Sequence, residues 1–217
     1  MNRIACFCLL FFSGMALTSA QGGGELVYTA TEKLVRAEKF LETENFDSAL
    51  YYCQRAFEKA PSFREVYITR HKVFDAMGME PSVMIENIKA GQQVSKEDEE
   101  FAYYLGQTYH KNSQFAEAVE AYSKAIEYSQ AHDGDITFRY FYYAGRGTSY
   151  LKDRKYAEAI ADFTSGLEID PESTGALINR GFCFYNTKNK KSACDDWRMA
   201  SGAGSKAASQ YISQYCN

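Results

Sequence analysis

The most constraining feature of this chain is a pattern of small and aromatic residues that occurs five times. Each copy starts with a small residue or glycine, and an aromatic residue follows three positions later. The first position falls at Ala37, His71, Gly106, Gly147 and Gly181. Successive copies are therefore offset by 34, 35, 41 and 34 residues. Self-similarity at this period indicates a stack of repeated helical units, because no single unit of this size can bury its apolar face alone.

The other positions of the pattern hold the same residue types in most copies. The first aromatic position holds Phe40, Phe74, Tyr109, Tyr150 and Phe184. The second half of each copy holds a small or β-branched, a mostly aromatic and a small residue: Ala49, Cys53 and Ala56; Val83, Asn87 and Ala90; Ala118, Tyr122 and Ala125; Ala159, Phe163 and Gly166; Ala193, Trp197 and Ala200. This order resembles the tetratricopeptide repeat, or TPR, over roughly residues 30–202. The resemblance implies an all-α superhelical solenoid of about five helix pairs plus a C-terminal capping helix.

Each copy is predicted to form two antiparallel helices, A and B. In the third copy we expect helix A at 100–111 and helix B at 115–129, and in the fourth copy at 140–151 and 156–167. Gly147 and Ala159 are expected where the two backbones of the fourth copy approach closely, with Tyr150 and Phe163 filling the volume beside them. In the second copy, helix B is predicted to begin at Pro81, which suits a first helical turn.

Two parts of the array depart from the regular pattern. The second copy is degenerate, since His71 replaces the small residue and Asn87 the aromatic one; this predicts either a looser joint or simple sequence drift. Seven extra residues, 129–135, enter between the third and fourth copies. They are interpreted as a surface loop or a longer helix B, or alternatively as a loop that contacts a partner.

The N-terminus has the features of a secretory signal peptide. Arg3 precedes an apolar run at residues 4–17, and Thr18, Ser19 and Ala20 are small residues that suit a cleavage site. We expect cleavage after Ala20, a flexible lead-in at 21–29 and export to the periplasm or the extracellular space. The alternative is an uncleaved N-terminal anchor. No later apolar run is long enough to span a membrane, which takes about 20 residues.

The C-terminus combines a capping helix with a cysteine pair. Residues 203–217 contain apolar residues at helical spacing and are predicted to cover the open end of the stack. The order A-C-x-D-W-x-x-A at 193–200, followed by glycines and a final cysteine, is similar to the last repeat of many exported bacterial TPR proteins and to the Sel-like repeat. We expect a disulfide between Cys194 and Cys216, on either side of the turn at Gly202 and Gly204, or alternatively two free thiols.

Composition and motifs argue against several functions. Removal of Arg3 with the signal peptide leaves 23 Lys and Arg against 28 Asp and Glu, a net charge of −5, which disfavours a nucleic-acid partner. Cys53 and Cys183 are interpreted as buried apolar residues. The chain has no nucleophile motif, no nucleotide-binding loop and no His/Cys spacing for zinc, so neither an enzyme nor a cofactor or metal site is expected. The acidic run 97–100 is interpreted as the charged start of a helix.

The TPR resemblance implies that helices A line a concave groove, through positions three before and one, four and five after the first small residue. The third to fifth copies are predicted as the main binding surface. Carried onto this chain, those positions are Tyr103, Gln107, His110 and Lys111; Ala144, Thr148, Leu151 and Lys152; and Ile178, Phe182, Tyr185 and Asn186. The first copy contributes Leu34, Glu38, Leu41 and Glu42, so the groove changes charge along its length. It lacks the paired Lys and Asn of TPRs that clamp a carboxylate.

These observations predict a non-enzymatic scaffold that binds a protein or peptide in an exported assembly. Two other classes of function stay open. One is a small-ligand carrier or enzyme that uses the concave groove, and the other is a self-associating structural module. The sequence does not predict the oligomeric state.

Overall fold

The computed structural model describes residues 20–132 and 134–216. This part of the chain forms eleven α-helices and no strand. They are five antiparallel pairs and a last single helix, which confirms the predicted all-α solenoid. The helices are α1 (Ala20–Glu42), α2 (Phe46–Lys59), α3 (Arg64–Ala76), α4 (Pro81–Val94), α5 (Glu99–Lys111), α6 (Phe115–Ala131), α7 (Ile136–Lys152), α8 (Tyr156–Ile169), α9 (Thr174–Asn186), α10 (Lys190–Gly202) and α11 (Lys206–Tyr215).

The start of the chain differs from the sequence prediction. The predicted signal peptide lies outside the described residues apart from Ala20. Residues 21–29, predicted as a flexible lead-in, are helical and form the first turns of α1. The reason is that α1 buries Ala30, Leu34 and Ala37 in the core of the first repeats. Once that segment is helical, adding further turns at its N-terminal end needs no new nucleation.

The turn between helices A and B has the same backbone geometry in all five repeats. One residue of each turn has a positive φ of 56° to 66°: Glu44, Gly78, Ser113, Arg154 and Lys188. The next residue donates its N–H to the carbonyl of the first aromatic position, as Asn45 does to Phe40 at 2.8 Å. This is the Schellman arrangement that ends helices. Only Gly78 is a glycine, so the residue type does not indicate the positive φ in the other four turns.

The glycine at the first small position makes room for an aromatic residue of helix B. A Cβ on Gly106 would lie 2.8 Å from Cδ1 of Tyr122, and one on Gly147 would lie 3.1 Å from Cε1 of Phe163. These distances are shorter than normal van der Waals contact. At Gly147, where a close approach of the two backbones was predicted, the nearest atoms belong to the side chains of Phe163 and Asp162 of the same repeat.

The second repeat is shifted by one residue from the predicted register. The buried residues of α4 are Met84, Asn87, Ile88 and Gly91. Of these, Met84, Ile88 and Gly91 have the same four-then-three spacing as Ala49, Cys53 and Ala56 in α2. Ile88 therefore fills the position predicted for Asn87, and Ala90 is exposed. The cause is one additional residue in the turn before Pro81, the first residue of α4.

Buried ion pairs join helices A and B in the last two repeats. Arg146 donates from Nε and Nη2 to the carboxylate of Asp162 at 2.8 and 2.7 Å, and Arg180 does the same with Asp196 at 2.9 and 2.8 Å. Each arginine precedes the glycine position and each aspartate precedes the aromatic position. Arg146 also donates to Ser123 of the preceding repeat at 3.0 Å, so the pair links neighbouring repeats.

The C-terminal helix caps the stack, as the sequence predicted. Ala208 of α11 is buried, and Tyr211 packs edge-on against Phe182 with ring centroids 4.6 Å apart. Cys194 and Cys216 are joined by a disulfide, with their Cα atoms 5.8 Å apart. Cys53 and Cys183 are free and buried. The bridge fixes the chain end to α10 across the turn that precedes α11.

The residues inserted between the third and fourth repeats mainly lengthen two helices. Both α6 and α7 have 17 residues, whereas α5 and α9 have 13. Of the two interpretations of the insertion, the longer helix B agrees with the structure, and helix A gains a turn as well. Asp133, in the short connection between them, lies outside the described residues.

Candidate protein-binding groove

Helices A of neighbouring repeats lie side by side. Helix α1 contacts α3, α5 contacts α7, and α7 contacts α9. Their shared face carries the positions predicted for the groove. Which of these side chains are free to bind depends on what each one touches.

In the third repeat, two predicted groove residues bind neighbouring repeats. The Lys111 ammonium donates to the Asp75 carboxylate of the second repeat at 2.7 Å. His110 Nδ1 lies 2.8 Å from Ser149 Oγ of the fourth repeat. Partial burial, and then the charge of Lys152, lower the pKa of His110. His110 is therefore mainly neutral at pH 7, and Lys111 is the cation of this repeat in the groove.

Tyr103 and Gln107 form the wall between the third and fourth repeats. The Gln107 amide donates to the Tyr103 hydroxyl at 2.7 Å. The Tyr103 ring lies 5.3 Å from the ring of Tyr142 and 6.0 Å from that of Tyr122, and burial raises its pKa. Tyr103 is thus largely a packing residue, and Gln107 presents its amide beside it.

The fourth repeat presents the most open part of the groove. Thr148 is half-buried, and its hydroxyl donates to the carbonyl of Ala144 at 2.7 Å. Lys152 is exposed, and no carboxylate pairs with it among the described residues. Ala144 and Leu151 are half-buried beside them. This surface has a weakly apolar floor with one unneutralised cation at its end.

The fifth repeat is largely covered by the cap. Ile178, Phe182 and Tyr185 were predicted to line the groove, but all three pack against the C-terminal core. Tyr185 is 38% exposed, and its ring lies 4.8 Å from that of Tyr215 in α11. Asn186 is exposed, and its amide donates to the carbonyl of Phe182 at 2.8 Å. The cap therefore restricts the open groove to the third and fourth repeats.

The first repeat keeps only its charged groove residues at the surface. Leu34 is buried and Leu41 is half-buried against the core. Glu38 and Glu42 are exposed. The charge along the solenoid therefore changes from acidic in the first repeat to basic at Lys152, since Asp75 neutralises Lys111.

One apolar surface at the start of α7 was not predicted from the sequence. Ile136, Phe138 and Phe141 at the start of α7 are large apolar side chains exposed to solvent. Two features of the sequence could have indicated this surface. The residues follow Asp135, a polar residue that caps α7, and they lie beside an insertion with no counterpart in the other repeats. The insertion was interpreted as a surface loop, a longer helix B or a contact loop at residues 129–135, and the apolar residues that follow it were not considered as a surface.

The described residues hold no candidate metal site and no candidate membrane span. Among them, no group of three His, Cys, Asp or Glu side chains is arranged to hold a metal ion. Over the same part of the chain, no helix combines the length and the apolar character needed to cross a membrane.

Comparisons with known proteins agree with this geometry. The model of the tetratricopeptide repeat family matches residues 100–132 and 142–173, which hold the third and fourth copies. The chain therefore carries tetratricopeptide repeats. No curated protein sequence matches it significantly.

Several solved structures share the fold. MamA is 18% identical over 86% of this chain and 95% of its own, with a TM-score of 0.67. YrrB, described as a TPR protein with an unusual peptide-binding site, is 17% identical over 85% of this chain and 92% of its own, with a TM-score of 0.67. PilF of Pseudomonas aeruginosa is 15% identical over 84% and 79%, with a TM-score of 0.74. At these identities the likeness shows the TPR solenoid fold.

Proposed function

We propose that this chain is a non-enzymatic scaffold that binds a protein or peptide in the groove of its third and fourth repeats. The observation that carries the proposal is the open surface of α7, where Thr148 and the unneutralised Lys152 face the groove. The equivalent residues of the fifth repeat, Phe182 and Asn186, lie beside the cap. The peptide-binding site named for YrrB supports this class of function for the fold.

The structure changes which residues are the best probes of this function. Tyr103 and Tyr185 were the natural choices from the sequence, but both rings pack against other aromatic residues. Truncating them would disturb the fold as well as binding. Thr148 and Lys152 are better probes, because their side chains are not part of an aromatic cluster. Gln107 is a third probe, since the only hydrogen bond of its amide among the described residues goes to the hydroxyl of Tyr103.

A site-specific photo-crosslinker tests the groove directly. The crosslinker is placed at Thr148, and at Lys124 as a control on helix α6, where the side chain is exposed and lies outside the predicted groove positions. Cells that make each variant are irradiated, and adducts are separated by mass. We expect a discrete protein adduct at position 148, reduced by Lys152→Glu, and none at 124. Equal adducts at both positions would refute the proposal.

We propose further that the protein acts outside the cytoplasm. Support comes from the signal-peptide pattern of residues 1–20 and from the Cys194–Cys216 pair, since disulfides persist in oxidising compartments. Intact-mass measurement of the protein recovered from the periplasm or medium should give a chain that begins at Gln21. A chain that still begins at Met1 and stays in the cytoplasm would overturn this setting.

A further inference from the structure

The added N-terminal turn of α7 exposes an apolar surface that the first turns of α3, α5 and α9 do not have. Helices α3, α5 and α9 begin with Arg64, Glu99 and Thr174, all polar residues. Helix α7 begins instead with an apolar turn, in which Ile136 is 58%, Phe138 53% and Phe141 48% exposed. Large apolar residues grouped at the surface are typical of interaction sites.

This surface continues the groove. Phe138 and Phe141 are three residues apart, so they lie on one face of α7. Thr148 lies seven residues after Phe141, two helical turns further along that face. Of the neighbouring aromatic residues, Tyr140 lies 5.2 Å from the Phe141 ring. We call Phe138 and Phe141 the aromatic ledge of the groove.

The surroundings of the aromatic ledge are acidic. Glu99 lies against the connection that precedes α7, since a Cβ on Gly134 would lie 2.5 Å from its Oε2. Burial and then the charges of Glu99 and Glu100 raise the pKa of Tyr142, one turn after Phe138. Arg64 neutralises Glu100, to which it donates at 2.7 Å, and also pairs with Asp98.

Three carboxylates at this end of the groove, those of Glu97, Glu99 and Asp135, lack a strong cationic partner. Glu97 has only His132, at 3.7 Å, and Asp135 caps Thr137. Within residues 20–132 and 134–216, no lysine or arginine pairs with Glu97, Glu99 or Asp135. Arg139, which follows Phe138, donates to Ser129 and to the Gly134 carbonyl. The ledge is therefore an apolar surface whose neighbouring carboxylates outnumber the arginines Arg64 and Arg139.

We propose that the aromatic ledge docks a basic amphipathic segment of a partner protein. Apolar residues of that segment pack on Phe138 and Phe141, and its lysines or arginines pair with Glu97 and Glu99. Cations also bind favourably over aromatic faces, which favours the same chemistry. This inference rests on the proposed protein-binding function and adds the chemistry of the partner.

Two labelled peptides test the chemistry of the partner. The first alternates lysine with leucine and phenylalanine over ten residues, and the second has glutamate in place of each lysine. Binding to the full folded protein is followed by fluorescence anisotropy. We expect the basic peptide to bind at least about tenfold more tightly than the acidic one, and its affinity to fall as salt screens the charges.

Variants then locate the binding. Phe138→Ser with Phe141→Ser should weaken binding of the basic peptide by about tenfold or more, as expected when aromatic anchors are lost. The matched control is Tyr28→Ser with Val35→Ser, which removes two apolar residues of α1 that are 67% and 60% exposed; it should leave affinity unchanged.

Glu97→Gln with Glu99→Gln should weaken binding by about threefold and reduce its salt dependence. Circular dichroism checks that each variant is folded.

Three results would overturn the proposal. The first is equal or tighter binding of the acidic peptide, and the second is an equal effect of the ledge and control variants. The third is a dimer of the wild-type protein that the ledge variant converts to a monomer, because the occupant would then be a second copy. If the Thr148 adducts persist in any of these cases, the groove function stands and only this partner chemistry fails.

Discussion

The second and fourth repeats are copies of the same pattern, but different residues occupy their glycine and ion-pair positions. In the fourth repeat, Gly147 admits the ring of Phe163, and Arg146 pairs with Asp162 through two hydrogen bonds. In the second repeat, His71 occupies the glycine position. Its Nδ1 is the one buried side-chain nitrogen or oxygen without a hydrogen-bond partner among the described residues.

The arginine position shows the same contrast. Arg70 donates to the amide oxygen of Asn87 at 2.6 Å, where the fourth repeat has a carboxylate. Asn87 in turn donates to the carbonyl of Tyr67 at 2.9 Å. The second repeat therefore keeps the polar link between its helices but has a neutral amide in place of the carboxylate. A degenerate repeat thus keeps its fold when an arginine–amide hydrogen bond and a one-residue shift replace the ion pair and the glycine.

The largest expected effect comes from moving the second repeat's residue into the fourth. Gly147→His would place a Cβ 3.1 Å from the Phe163 ring and force an imidazole into a filled space. Overpacking, together with an unpaired buried polar group, should cost at least about 3 kcal/mol of the free energy of unfolding. Urea denaturation measures it. His71→Gly is the reciprocal control and should cost less, because the second repeat has no ring in its glycine space. Equal costs would mean that the two positions are equivalent.

The disulfide should contribute almost as much, but only at the C-terminal end. Cys194 and Cys216 enclose a separation of 22 residues, and closing a loop of that size is worth about 3 kcal/mol in the chain-entropy model. Cys194→Ser with Cys216→Ser should lower the hydrogen-exchange protection of α11 and leave α3 and α4 unchanged.

Thiol counting checks the bridge itself. The denatured, unreduced mature protein should show two titratable cysteines, Cys53 and Cys183. Four titratable thiols would show that the bridge is absent from the isolated protein.

The two polar links should differ in strength. Asp162→Ala leaves the mostly buried Arg146 without its carboxylate and should cost about 2–3 kcal/mol. Asn87→Ala removes the hydrogen bonds to Arg70 and to the Tyr67 carbonyl without removing a charge, and it should cost about 1–2 kcal/mol. Chemical denaturation of both variants gives the comparison. If Asn87→Ala were the more damaging change, the second repeat would depend on its polar link more than the fourth does.

The smallest effect concerns pH. Burial lowers the pKa of His71 to about 4, from an ordinary value of 6.5. Between these two values the unfolded chain binds a proton that the folded chain excludes. Stability is therefore fully present above pH 6.5 and falls as the pH drops toward 4.

Thermal unfolding measures this pH effect. We expect a loss of about 1–2 kcal/mol between pH 7 and pH 5, and a shallower loss in His71→Gln. The groove residue His110 also has a lowered pKa, so His110→Gln is the parallel control. An unchanged slope in His71→Gln would show that His71 is not the group responsible.

Much of the fold could be predicted because small and aromatic residues recur at fixed spacing. The predicted start of α4 at Pro81 and of α8 at Tyr156 agree with the structure. The register of α4 was wrong, because the offset of 35 residues between the second and third copies shows one additional residue but does not show that it lies before Pro81. The helical segment at 21–29 was also missed, because its three glycines suggest flexibility whereas its conformation follows from the buried residues after it.

The candidate site was less predictable than the fold. The groove positions follow from the helical period, so the sequence could place Thr148 and Lys152 on one face. It could not show that the cap covers Phe182 and Tyr185, because that contact joins residues of α9 and α11 through their packing on Trp197. The exposed state of Phe138 and Phe141 likewise depends on which elements pack beside the first turn of α7.

The sequence by itself therefore determined the repeat, the pairing of helices and the closed C-terminal end. These features are local, since helical spacing and residue size decide them within one repeat or between adjacent repeats. Only the tertiary structure decided which groove residues are open, which are covered and where an apolar surface is left exposed. The physical reason is that exposure depends on all neighbouring elements together, and the spacing of residues along one helix does not record what packs against it.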